Sequence, residues 1–358
     1  MSRYVIEKEK LVQNIETLKQ KAKVEIIGVV KGNGYGLGIK EFTTVLKENG
    51  IKTFAVTEIR DIPVLREILK DEDILVMRST CLKDEIETIV KYDCTATVGS
   101  VESANMLNEI SKSVGKTTKA HIKIDTGMGR YGFLSSEIDS IIPLYSLENI
   151  SFTGIYTHFS SAFTNAELTM AQLEIFKDVV NQLKKEGINV GTMHAANSPA
   201  LLNCKSDVCL DAVRIGSAFT GRVITKSNIG LNRIGMLEAE IVDVKNLPSG
   251  YSVGYNGKFK TEKPTKLAII PFGHYDGFGI EKSTEEYNLH TVLSTAKKYF
   301  KKQKICVTVN GKQFAVAGEI GLSHTAIDIT NTDIKVGDTA KADISPLFVN
   351  PQIERIYI

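Results

Sequence analysis

Residues 26–36 read IIGVVKGNGYG: an apolar run, then a lysine, then a turn rich in glycine. An apolar run without polar interruption is typical of a parallel strand that is buried on both faces. Similar runs recur through roughly the first 220 residues, and the segments between them carry apolar residues three and four positions apart, which predicts helices. The predicted strands are Ile26–Val30, Thr53–Val56, Ile74–Met77, Thr95–Val98, Ala120–Ile124, Ser151–Thr157, Gly191–Met193 and Ala212–Ile215.

Strands that alternate with helices in this way favour a (β/α)8 TIM barrel. A doubly wound open sheet is the alternative, because the strand pattern alone does not show that a sheet closes. Ser100 is the predicted N-cap of one helix, and Gly50 and Gly187 are predicted to end two others. The predicted helices are Lys40–Glu48, Glu58–Leu69, Lys83–Val90, Val101–Ser111 and Leu168–Glu186.

The pattern changes near Met236, where shorter strand-like runs are separated by Gly, Asn and Pro. Asn310-Gly311 between two of these runs predicts a hairpin turn. We therefore predict two domains: a barrel over residues 1–232, whose first residues are able to pair with the second domain, and a mostly antiparallel β domain over residues 233–358. A helical pattern over Thr284–Lys302 interrupts the second domain. Its predicted strands are Glu238–Val244, Lys266–Pro271, Ile305–Val309, Phe314–Ala317, Ala326–Ile329 and Arg355–Ile358.

The composition argues against several classes of function. With 44 Lys and Arg against 42 Asp and Glu, the net charge of +2 is too small to predict a nucleic acid or an anionic membrane as a partner. No stretch approaches the ~20 apolar residues that span a bilayer, and residues 1–11 lack the apolar run of a signal peptide. The five cysteines form no CxxC pair, which argues against a disulfide framework or a zinc site. We therefore expect a cytoplasmic protein without a metal site.

Polar side chains follow several predicted strands at the point where each strand ends. Lys31 follows the first strand, and a lysine there can lose its charge by desolvation and act as a nucleophile or base. Taken alone, Lys31 is more simply a solvated lysine, His158 a core histidine and Arg214 a structural ion-pair partner. In a barrel, however, the strand ends converge on one face, where substrate chemistry occurs. The other polar clusters are residues 123–130, 157–159, 194–198 and 214–217.

Six motifs resemble those of the alanine racemase family of pyridoxal-phosphate (PLP) enzymes, and they span nearly the whole chain. The most specific is KIDTGMGRYG at 123–132. KGNGYGLG at 31–38 resembles the family's PLP-lysine signature, which usually has Ala at the positions of Gly32 and Gly34. The others follow in the family's order: THF at 157–159, HAANS at 194–198, RIG at 214–216 and GY at 254–255. The resemblance implies a PLP-binding barrel of fold type III with a C-terminal β domain, and interconversion of L- and D-alanine or a related small amino acid.

The resemblance also implies two opposed catalytic bases. Lys31 would form the Schiff base with PLP, and its amine, once free, would act on one face of the α-carbon. Tyr255 would act on the opposite face, because racemisation removes a proton from one face and returns it on the other. A phenol loses its proton only near pH ~10, so His194 and Arg214 are implied to activate Tyr255. A homodimer is implied as well, with the tyrosine contributed by the partner chain.

The remaining implied roles concern the cofactor and the substrate. Arg214 would face the pyridine nitrogen of PLP, which then stays unprotonated because an arginine does not give up its proton. Arg130 would bind the phenolic oxygen of PLP and the substrate carboxylate, and Lys123 takes a position that is carbamylated in some family members. The residues implied to bind PLP are Lys31, Tyr35, Arg130, His158, His194, Asn197, Ser198, Arg214, Gly216 and Ser217.

The sequence departs from the family's motifs mainly around the substrate channel. His274 stands where a channel tyrosine is expected and Glu319 where an arginine is expected. Leu322, which we assign to substrate binding, replaces a methionine, while Phe163 and Thr220 replace an entrance aspartate and a tyrosine. These changes keep open a racemase of serine or of larger or basic amino acids, because Glu319 would attract a cationic side chain.

Two other functions also remain open. One is a PLP decarboxylase or aldolase on a related barrel, although the Cys-Asp dipeptide usual in such decarboxylases is absent after the barrel. The other is a PLP-binding relic without turnover. The altered channel motifs keep the relic open, whereas the retention of Tyr255 argues for catalysis.

Overall fold

The computed structural model describes residues 1–204, 206–223, 225, 228–257, 259–280 and 305–358. Within these residues the chain divides into two compact units. Lys8–Ile234 forms one, here called the barrel unit, and Met1–Glu7 together with Gly235–Ile358 forms the other, here called the β unit. The helix predicted over Thr284–Lys302 lies outside the described residues.

Eight parallel strands form a closed sheet in the barrel unit. They are β2 (Glu25–Val29), β3 (Thr53–Val56), β4 (Asp73–Ser79), β5 (Thr95–Val98), β6 (Thr118–Asp125), β8 (Ile150–Tyr156), β9 (Thr192–Asn197) and β10 (Ala212–Ile215). The order is β5-β4-β3-β2-β10-β9-β8-β6, and β5 also pairs with β6, with Ala96 opposite Ala120. This last pairing leaves no free edge, so the predicted (β/α)8 barrel is confirmed and the open sheet is wrong. A short strand, β7 (Phe133–Leu134), pairs with the end of β6.

Apolar side chains fill one end of the barrel interior. Ile27 and Val29 of β2, Ala55 of β3, Leu75 of β4 and Ala212 of β10 form one buried cluster. Ile27 and Val29 point to the same side because alternate residues of a strand share a face. Burying a side chain such as Ile or Val contributes roughly 1.5–3 kcal/mol, so this cluster helps to fix the mutual register of the strands.

Each segment of the barrel unit that was predicted to be helical contains a helix. The helices of the barrel unit are α1 (Lys8–Ala22), α2 (Lys31–Tyr35), α3 (Ile39–Glu48), α4 (Ile62–Ile68), α5 (Lys83–Lys91), α6 (Val101–Ser113), α7 (Ile138–Ile141), α8 (Ala166–Lys185) and α9 (Ser198–Asn203). Gly50 and Gly187 follow α3 and α8, each with a φ of 79°, as predicted for residues that end helices. The helix predicted from Glu58 begins later, because a 3-10 turn at Ile59–Asp61 precedes α4.

Two polar motifs begin inside strands rather than after them. The sequence-based prediction ended the seventh barrel strand at Met193, but β9 continues to Asn197, and β6 likewise continues to Asp125. Polar residues usually mark a strand end, yet His194 is completely buried. The barrel tolerates it there because both of its ring nitrogens have hydrogen-bond partners.

The β unit is mostly antiparallel, as predicted. Its strands are β1 (Arg3–Ile6), β11 (Met236–Glu240), β12 (Asp243–Leu247), β13 (Ser252–Val253), β14 (Phe259–Lys260), β15 (Thr265–Ile270), β16 (Cys306–Val309), β17 (Lys312–Ala315), β18 (Thr325–Asp328), β19 (Thr339–Ala342) and β20 (Glu354–Tyr357). One sheet has the order β17-β16-β19-β11-β1-β20, a second has the order β12-β15-β18, and β13 pairs with β14. In the first sheet only β1 and β20 run parallel.

Two local predictions in the β unit had different outcomes. The hairpin turn at Asn310-Gly311 is confirmed, because Val309 pairs with Lys312 across it. The single strand predicted over Glu238–Val244 is wrong. The amide of Ile241 binds the carbonyl of Asp338 and the amide of Val242 binds that of Ile269, so the chain passes at this point from the first sheet to the second.

The described residues contain no group of three or more His, Cys, Asp or Glu side chains that could hold a metal ion. No disulfide joins any of the five cysteines, all of which lie in the described residues. Among the described helices, none combines the length and the apolar character needed to cross a membrane.

The N-cap of α6 supplies a stability prediction. The Ser100 hydroxyl accepts the amide of Ser103 at 3.1 Å, and the Ser103 hydroxyl accepts the amide of Ser100 at 3.1 Å. We expect Ser100→Ala to lower the free energy of unfolding by about 1 kcal/mol, because the Ser103 amide then loses its acceptor at the helix start. Ser100→Asp should lose little, since aspartate also accepts from this amide. Urea unfolding measures the change, and Ser113→Ala at the other end of α6 is the control; equal losses for Ser100→Ala and Ser113→Ala would contradict the capping role.

Candidate active site

Four cationic side chains gather at the carboxyl ends of the barrel strands. Lys31 follows β2, Lys123 lies near the end of β6, Arg130 lies in the loop after β6, and Arg214 lies in β10. Arg130 and Arg214 each lower the pKa of both lysines. Within the described part of the chain none of the four takes part in an ion pair. The barrel mouth is therefore strongly positive.

Lys31 begins a single left-handed turn. Gly32, Asn33, Gly34 and Tyr35 have φ values of 62°, 54°, 62° and 55°, a conformation that glycine and asparagine adopt most readily. The amide of Gly34 binds the carbonyl of Val30 at 3.0 Å, which joins the turn to the end of the strand. The turn returns the Tyr35 ring onto the buried cluster around Ile27 and Val29, where burial raises the pKa of the Tyr35 hydroxyl to about 12.

The Lys31 amine is held in a setting that favours its neutral form. Burial is the largest cause of its lowered pKa, and the positive charges of Arg130 and Arg214 add to the effect. Desolvation and like charges both disfavour an ammonium ion. Lys31 therefore carries a larger share of free amine near neutral pH than an exposed lysine does.

Asp125 is the acidic side chain of the KIDTGMGRYG motif, and it organises the loop rather than neutralising the cations. One of its carboxylate oxygens accepts the amides of Gly127 at 2.9 Å and Met128 at 2.7 Å, and the other accepts the amide of Arg130 at 3.1 Å. Burial acts to raise the pKa of Asp125, but these backbone hydrogen bonds outweigh it, and the pKa is lowered. The carboxylate thus fixes the loop that carries Arg130.

Lys123 lies between two tyrosine rings. Its Nζ is 5.1 Å from the centre of the Tyr131 ring and 5.6 Å from that of Tyr156, both within the range of a cation–π contact. The side chain is buried. Burial, with Arg130 and Arg214, lowers the pKa of Lys123 to about 8, so its amine is partly neutral in mildly alkaline solution.

Both terminal nitrogens of the Arg214 guanidinium donate to hydrogen-bond acceptors of the barrel. Its NH1 group donates to His194 Nδ1 at 2.8 Å and to the His194 carbonyl at 3.0 Å. Its NH2 group donates to the carbonyls of Thr157 at 2.7 Å and Ala195 at 2.8 Å. Four of the five N–H donors of an arginine are thus used, and the fifth, Nε–H, has no acceptor among the described residues. Burial lowers the pKa of Arg214 to about 10, so it stays charged near neutral pH.

His194 supports Arg214 from within the barrel. Its Nδ1 bonds Arg214, and its Nε2 lies 2.9 Å from Nδ1 of His121. Its ring stacks on Tyr156, with ring centres 4.8 Å apart and planes 7° apart. Burial above all lowers the pKa of His194 well below its usual range, so the ring is neutral, and both nitrogens are engaged inside the barrel unit.

His158 is a neutral histidine among cations. It follows β8 directly after Thr157. Burial is the largest cause of its lowered pKa, and the charges of Arg214, Lys123, Arg130 and Lys31 bring that pKa down to about 2. The ring therefore offers an uncharged aromatic face at the barrel mouth.

Ser198 and Gly216 form a backbone cradle beside Tyr35. The Ser198 hydroxyl oxygen accepts the amides of Gly216 at 3.1 Å and Ala218 at 3.3 Å, which leaves its hydrogen to be donated. A Cβ at Gly216 would lie 2.3 Å from the Tyr35 ring, so only glycine fits there. Ser217 begins the following 3-10 turn.

Asn197 holds the start of α9 instead of pointing freely into the mouth. Its Oδ1 accepts the amide of Ala200 at 3.1 Å, which is the geometry of an N-cap.

The barrel unit contains all the residues predicted to bind PLP: Lys31, Tyr35, Arg130, His158, His194, Asn197, Ser198, Arg214, Gly216 and Ser217.

Tyr255 and Leu322 belong to the β unit. Both side chains are exposed, Tyr255 to 70% and Leu322 to 69%. Tyr255 lies in a tight turn between Gly254 and Asn256, which have φ values of 73° and 60°. The side-chain amide nitrogen of Asn256 donates a hydrogen bond to the Glu319 carboxylate at 3.2 Å. Glu319 therefore contacts the turn that carries Tyr255.

Sequence reasoning did not single out His121, Tyr131 or Tyr156. His121 lies two residues before Lys123 in β6, and alternate residues of a strand share a face, so its inward position was available from the pattern. Tyr156 immediately precedes the THF motif, and its hydroxyl is hydrogen-bonded to Thr97 at 2.9 Å and to the carbonyl of Met77 at 3.1 Å. Those partners lie far away in sequence and leave no local signal.

Comparison with known proteins agrees with this geometry over nearly the whole chain. Residues 6–223 match the model of the alanine racemase N-terminal domain, and residues 234–343 match that of the C-terminal domain. An alanine racemase of Clostridium novyi is 32% identical over 340 residues, which is 92% of this chain and 82% of the relative. One from Clostridium tetani is 33% identical over 342 residues, or 93% of this chain and 83% of the relative.

A solved structure gives the same result. The alanine racemase of Clostridium difficile 630 superimposes with a TM-score of 0.86 at 26% identity, covering 100% of this chain and 95% of that one. Two family models cover both parts of the sequence, and the relatives exceed 30% identity over most of their length. This chain therefore belongs to the alanine racemase family.

Proposed function

We propose that this protein is a PLP-dependent racemase that interconverts L- and D-alanine or a related small amino acid, with Lys31 and Tyr255 as the two bases. The family and the names of the relatives support the reaction. The observation that supports PLP as the cofactor is the arrangement of the Arg214 guanidinium. It is buried and held by four hydrogen bonds, while its Nε–H has no acceptor among the described residues.

The Nε–H of Arg214 fits the ring nitrogen of PLP. The hydrogen bonds of the other four N–H groups fix the direction of Nε–H, and an unprotonated pyridine nitrogen is an acceptor of suitable size. PLP supplies an electron sink that makes the α-proton of an amino acid acidic. Because arginine does not release its proton, Arg214 keeps that nitrogen unprotonated and so moderates the sink, which limits side reactions.

The cradle at Ser198 fits a phosphate group. The Ser198 hydroxyl oxygen is saturated by two amides, so its hydrogen is available for an anion. The bare backbone at Gly216 lets an anion approach closely, and the amide of Ser217 and the hydroxyl of Tyr35 lie beside it. We propose these groups as the phosphate site, with His158 packed against the cofactor ring.

The unpaired cations fit two further anionic groups. Arg130 and Arg214 lower the pKa values of Lys31 and Lys123, and none of these four side chains forms an ion pair with a described residue. We propose that Arg130, in a loop fixed by Asp125, binds the phenolic oxygen of the cofactor and the substrate carboxylate. Bound anions remove the repulsion that the cations exert on one another.

Lys31 and Tyr255 are proposed to move protons on opposite faces of the α-carbon. The lowered pKa of Lys31 gives it the free amine that a base requires. The exposure of Tyr255 is compatible with a residue that a second copy of the chain covers. We therefore propose a homodimer with shared sites, in which residues 1–232 bind PLP and Leu322 and the tyrosine base come from residues 233–358.

The setting of the reaction is also part of the proposal. We propose a cytoplasmic location, which the five cysteines support because none of them is in a disulfide. Lys123 is buried, partly neutral and free of hydrogen bonds to the described residues. We propose that the Tyr131 and Tyr156 rings hold its amine in place.

Exchange of the α-proton for deuterium across a panel of L- and D-amino acids tests the reaction. We expect exchange with inversion for alanine, and Tyr255→Phe should suppress exchange of one enantiomer more than the other, because each base serves one face. Tyr251→Phe, which alters another exposed tyrosine of the β unit, is the control. A PLP-bound protein inert to every amino acid would instead support the relic. Equal, mild effects of Tyr255→Phe on both enantiomers would contradict its role as a base.

The pH dependence of PLP uptake tests the setting of Lys31. Removing the positive charge of Arg130 removes the second-largest cause of the lowered pKa of Lys31, so in Arg130→Leu that pKa rises and less free amine is present at neutral pH. We expect the midpoint of PLP uptake by the cofactor-free protein to move to higher pH in Arg130→Leu and to stay in place in Arg130→Lys, which keeps the charge. A midpoint that stays or falls in Arg130→Leu would count against the electrostatic account.

Variants of Glu319 test the substrate class. Since the Glu319 carboxylate accepts a hydrogen bond from Asn256 beside Tyr255, we expect it to position that turn rather than to attract a cationic substrate. Glu319→Gln keeps an acceptor and should retain exchange of alanine and lysine within about threefold, whereas Glu319→Ala should weaken both alike, by up to about tenfold. Selective loss of exchange for lysine and arginine in Glu319→Gln would instead establish the basic-substrate alternative.

A further inference from the structure

Arg214 fixes the direction of a hydrogen-bond chain that runs into the barrel. A guanidinium has donors and no acceptor, so the His194 Nδ1 that it bonds at 2.8 Å must be the bare nitrogen. Neutral His194 then carries its hydrogen on Nε2. That hydrogen points at His121 Nδ1, 2.9 Å away. His121 Nδ1 must therefore be bare as well, and the His121 hydrogen lies on Nε2.

His121 is buried and closely fitted. It is 8% exposed, and its ring and that of His194 have centres 5.1 Å apart. A Cβ at Gly154 of β8 would lie 2.7 Å from His121 Cε1 and Nε2. Only a residue without a side chain leaves room for the imidazole at this place, so the backbone of β8 holds the ring against His194.

The far side of His121 meets a small polar cavity at the amino-terminal ends of the strands. This cavity has a volume of about 170 Å³, and its lining includes His121, Asp73, Thr95, Lys119 and Thr192. Nε2–H of His121 has no acceptor among the described residues, and a polar cavity of this size holds water that can accept it. The chain therefore connects the barrel mouth with solvent at the opposite end.

The charges around His121 keep its ring neutral. Burial is the largest influence and lowers the pKa of His121 to about 4, while Asp73 acts to raise it and Arg214 and Lys119 act to lower it. A protonated His121 would turn a second donor toward His194 Nε2–H. Near neutral pH its Nδ1 stays bare and remains an acceptor.

We propose that His121 is a positioning residue: its bare Nδ1 accepts the Nε2 hydrogen of His194 and so holds His194 in the orientation that supports Arg214. The importance of this support for catalysis rests on the proposed function, whereas the hydrogen-bond chain does not. The role adds a residue with no cofactor contact to the group that sets the position of Arg214.

Nitrogen NMR of the wild-type protein tests the chain directly. In full-length protein labelled with ¹⁵N-histidine, two-bond ¹H–¹⁵N correlations distinguish the two neutral tautomers of each ring. The sequence contains six histidines, and single His→Asn variants assign their signals. We expect His194 and His121 both to be neutral Nε2–H tautomers near neutral pH. A hydrogen on Nδ1 of His121 would overturn the proposal without any judgement on activity.

Two substitutions at His121 then separate bonding from packing. His121→Asn places an amide oxygen close to the position of Nδ1 and keeps an acceptor, whereas His121→Leu fills the space without one. We expect His121→Leu to shift the His194 nitrogen signals and to weaken PLP binding by about tenfold, the size of one lost hydrogen bond to a polar group. His121→Asn should stay within about threefold of wild type. Unchanged His194 signals in His121→Leu, or equal weakening by both variants, would overturn the proposal.

Gly154→Ala offers a second test, because it moves the His121 ring without removing any hydrogen-bonding group. Its Cβ displaces the His121 ring, so we expect the same shift of the His194 signals as in His121→Leu. In the His121→Asn background the shorter side chain leaves room, and Gly154→Ala should have a smaller effect there. Strictly additive effects would contradict the contact. A wild-type protein that neither binds PLP nor racemises amino acids would refute the proposed function. The histidine NMR signals would still show whether the hydrogen bonds from Arg214 through His194 to His121 exist.

Discussion

Closure of the sheet between β5 and β6 is the constraint on which the site depends. In an open sheet, Lys31 after β2 and Lys123 at the end of β6 would lie several strands apart. Closure brings all the strand ends to one face, so side chains from β2, β6, β8, β9 and β10 meet there. The site is therefore a consequence of topology, and the segments that follow the strands supply Lys31, Arg130, His158 and the cradle beside Tyr35.

The chemistry of this face follows from charges without counter-charges. Asp125 is occupied by backbone amides, and Arg214 is held by carbonyl oxygens and a neutral histidine rather than by a carboxylate. A carboxylate beside Arg214 would cancel its field, whereas neutral acceptors fix its orientation and leave its charge available. The arrangement suits anions that arrive from outside the protein.

Much of this was predictable from the sequence. Uninterrupted apolar runs gave the barrel strands, helical spacing gave the helices, and Ser100 marked the start of α6. The motifs identified the residues at the barrel mouth, because strand ends converge in a barrel. Signals confined to short stretches cannot show partners that are distant in sequence, so the contacts of Tyr156 with Thr97 and of His121 with His194 required the structure. The prediction ended the seventh barrel strand too early, before His194. A buried histidine with two hydrogen-bond partners cannot be distinguished from a loop residue when its partners are unknown. The left-handed conformation at Asn33 and Tyr35 was also unpredicted, because residues other than glycine rarely adopt it.

Under the proposed function, the cluster of cations at the barrel mouth would link cofactor supply to the lifetime of the folded protein. Like charges gathered at one end of the barrel oppose folding, and any anion that binds only the native state offsets this by mass action. Two pools of the enzyme in one cell, loaded and unloaded, would then differ in resistance to heat and to proteolysis. Abundance of the enzyme would follow the availability of the vitamin-derived coenzyme without any dedicated regulator.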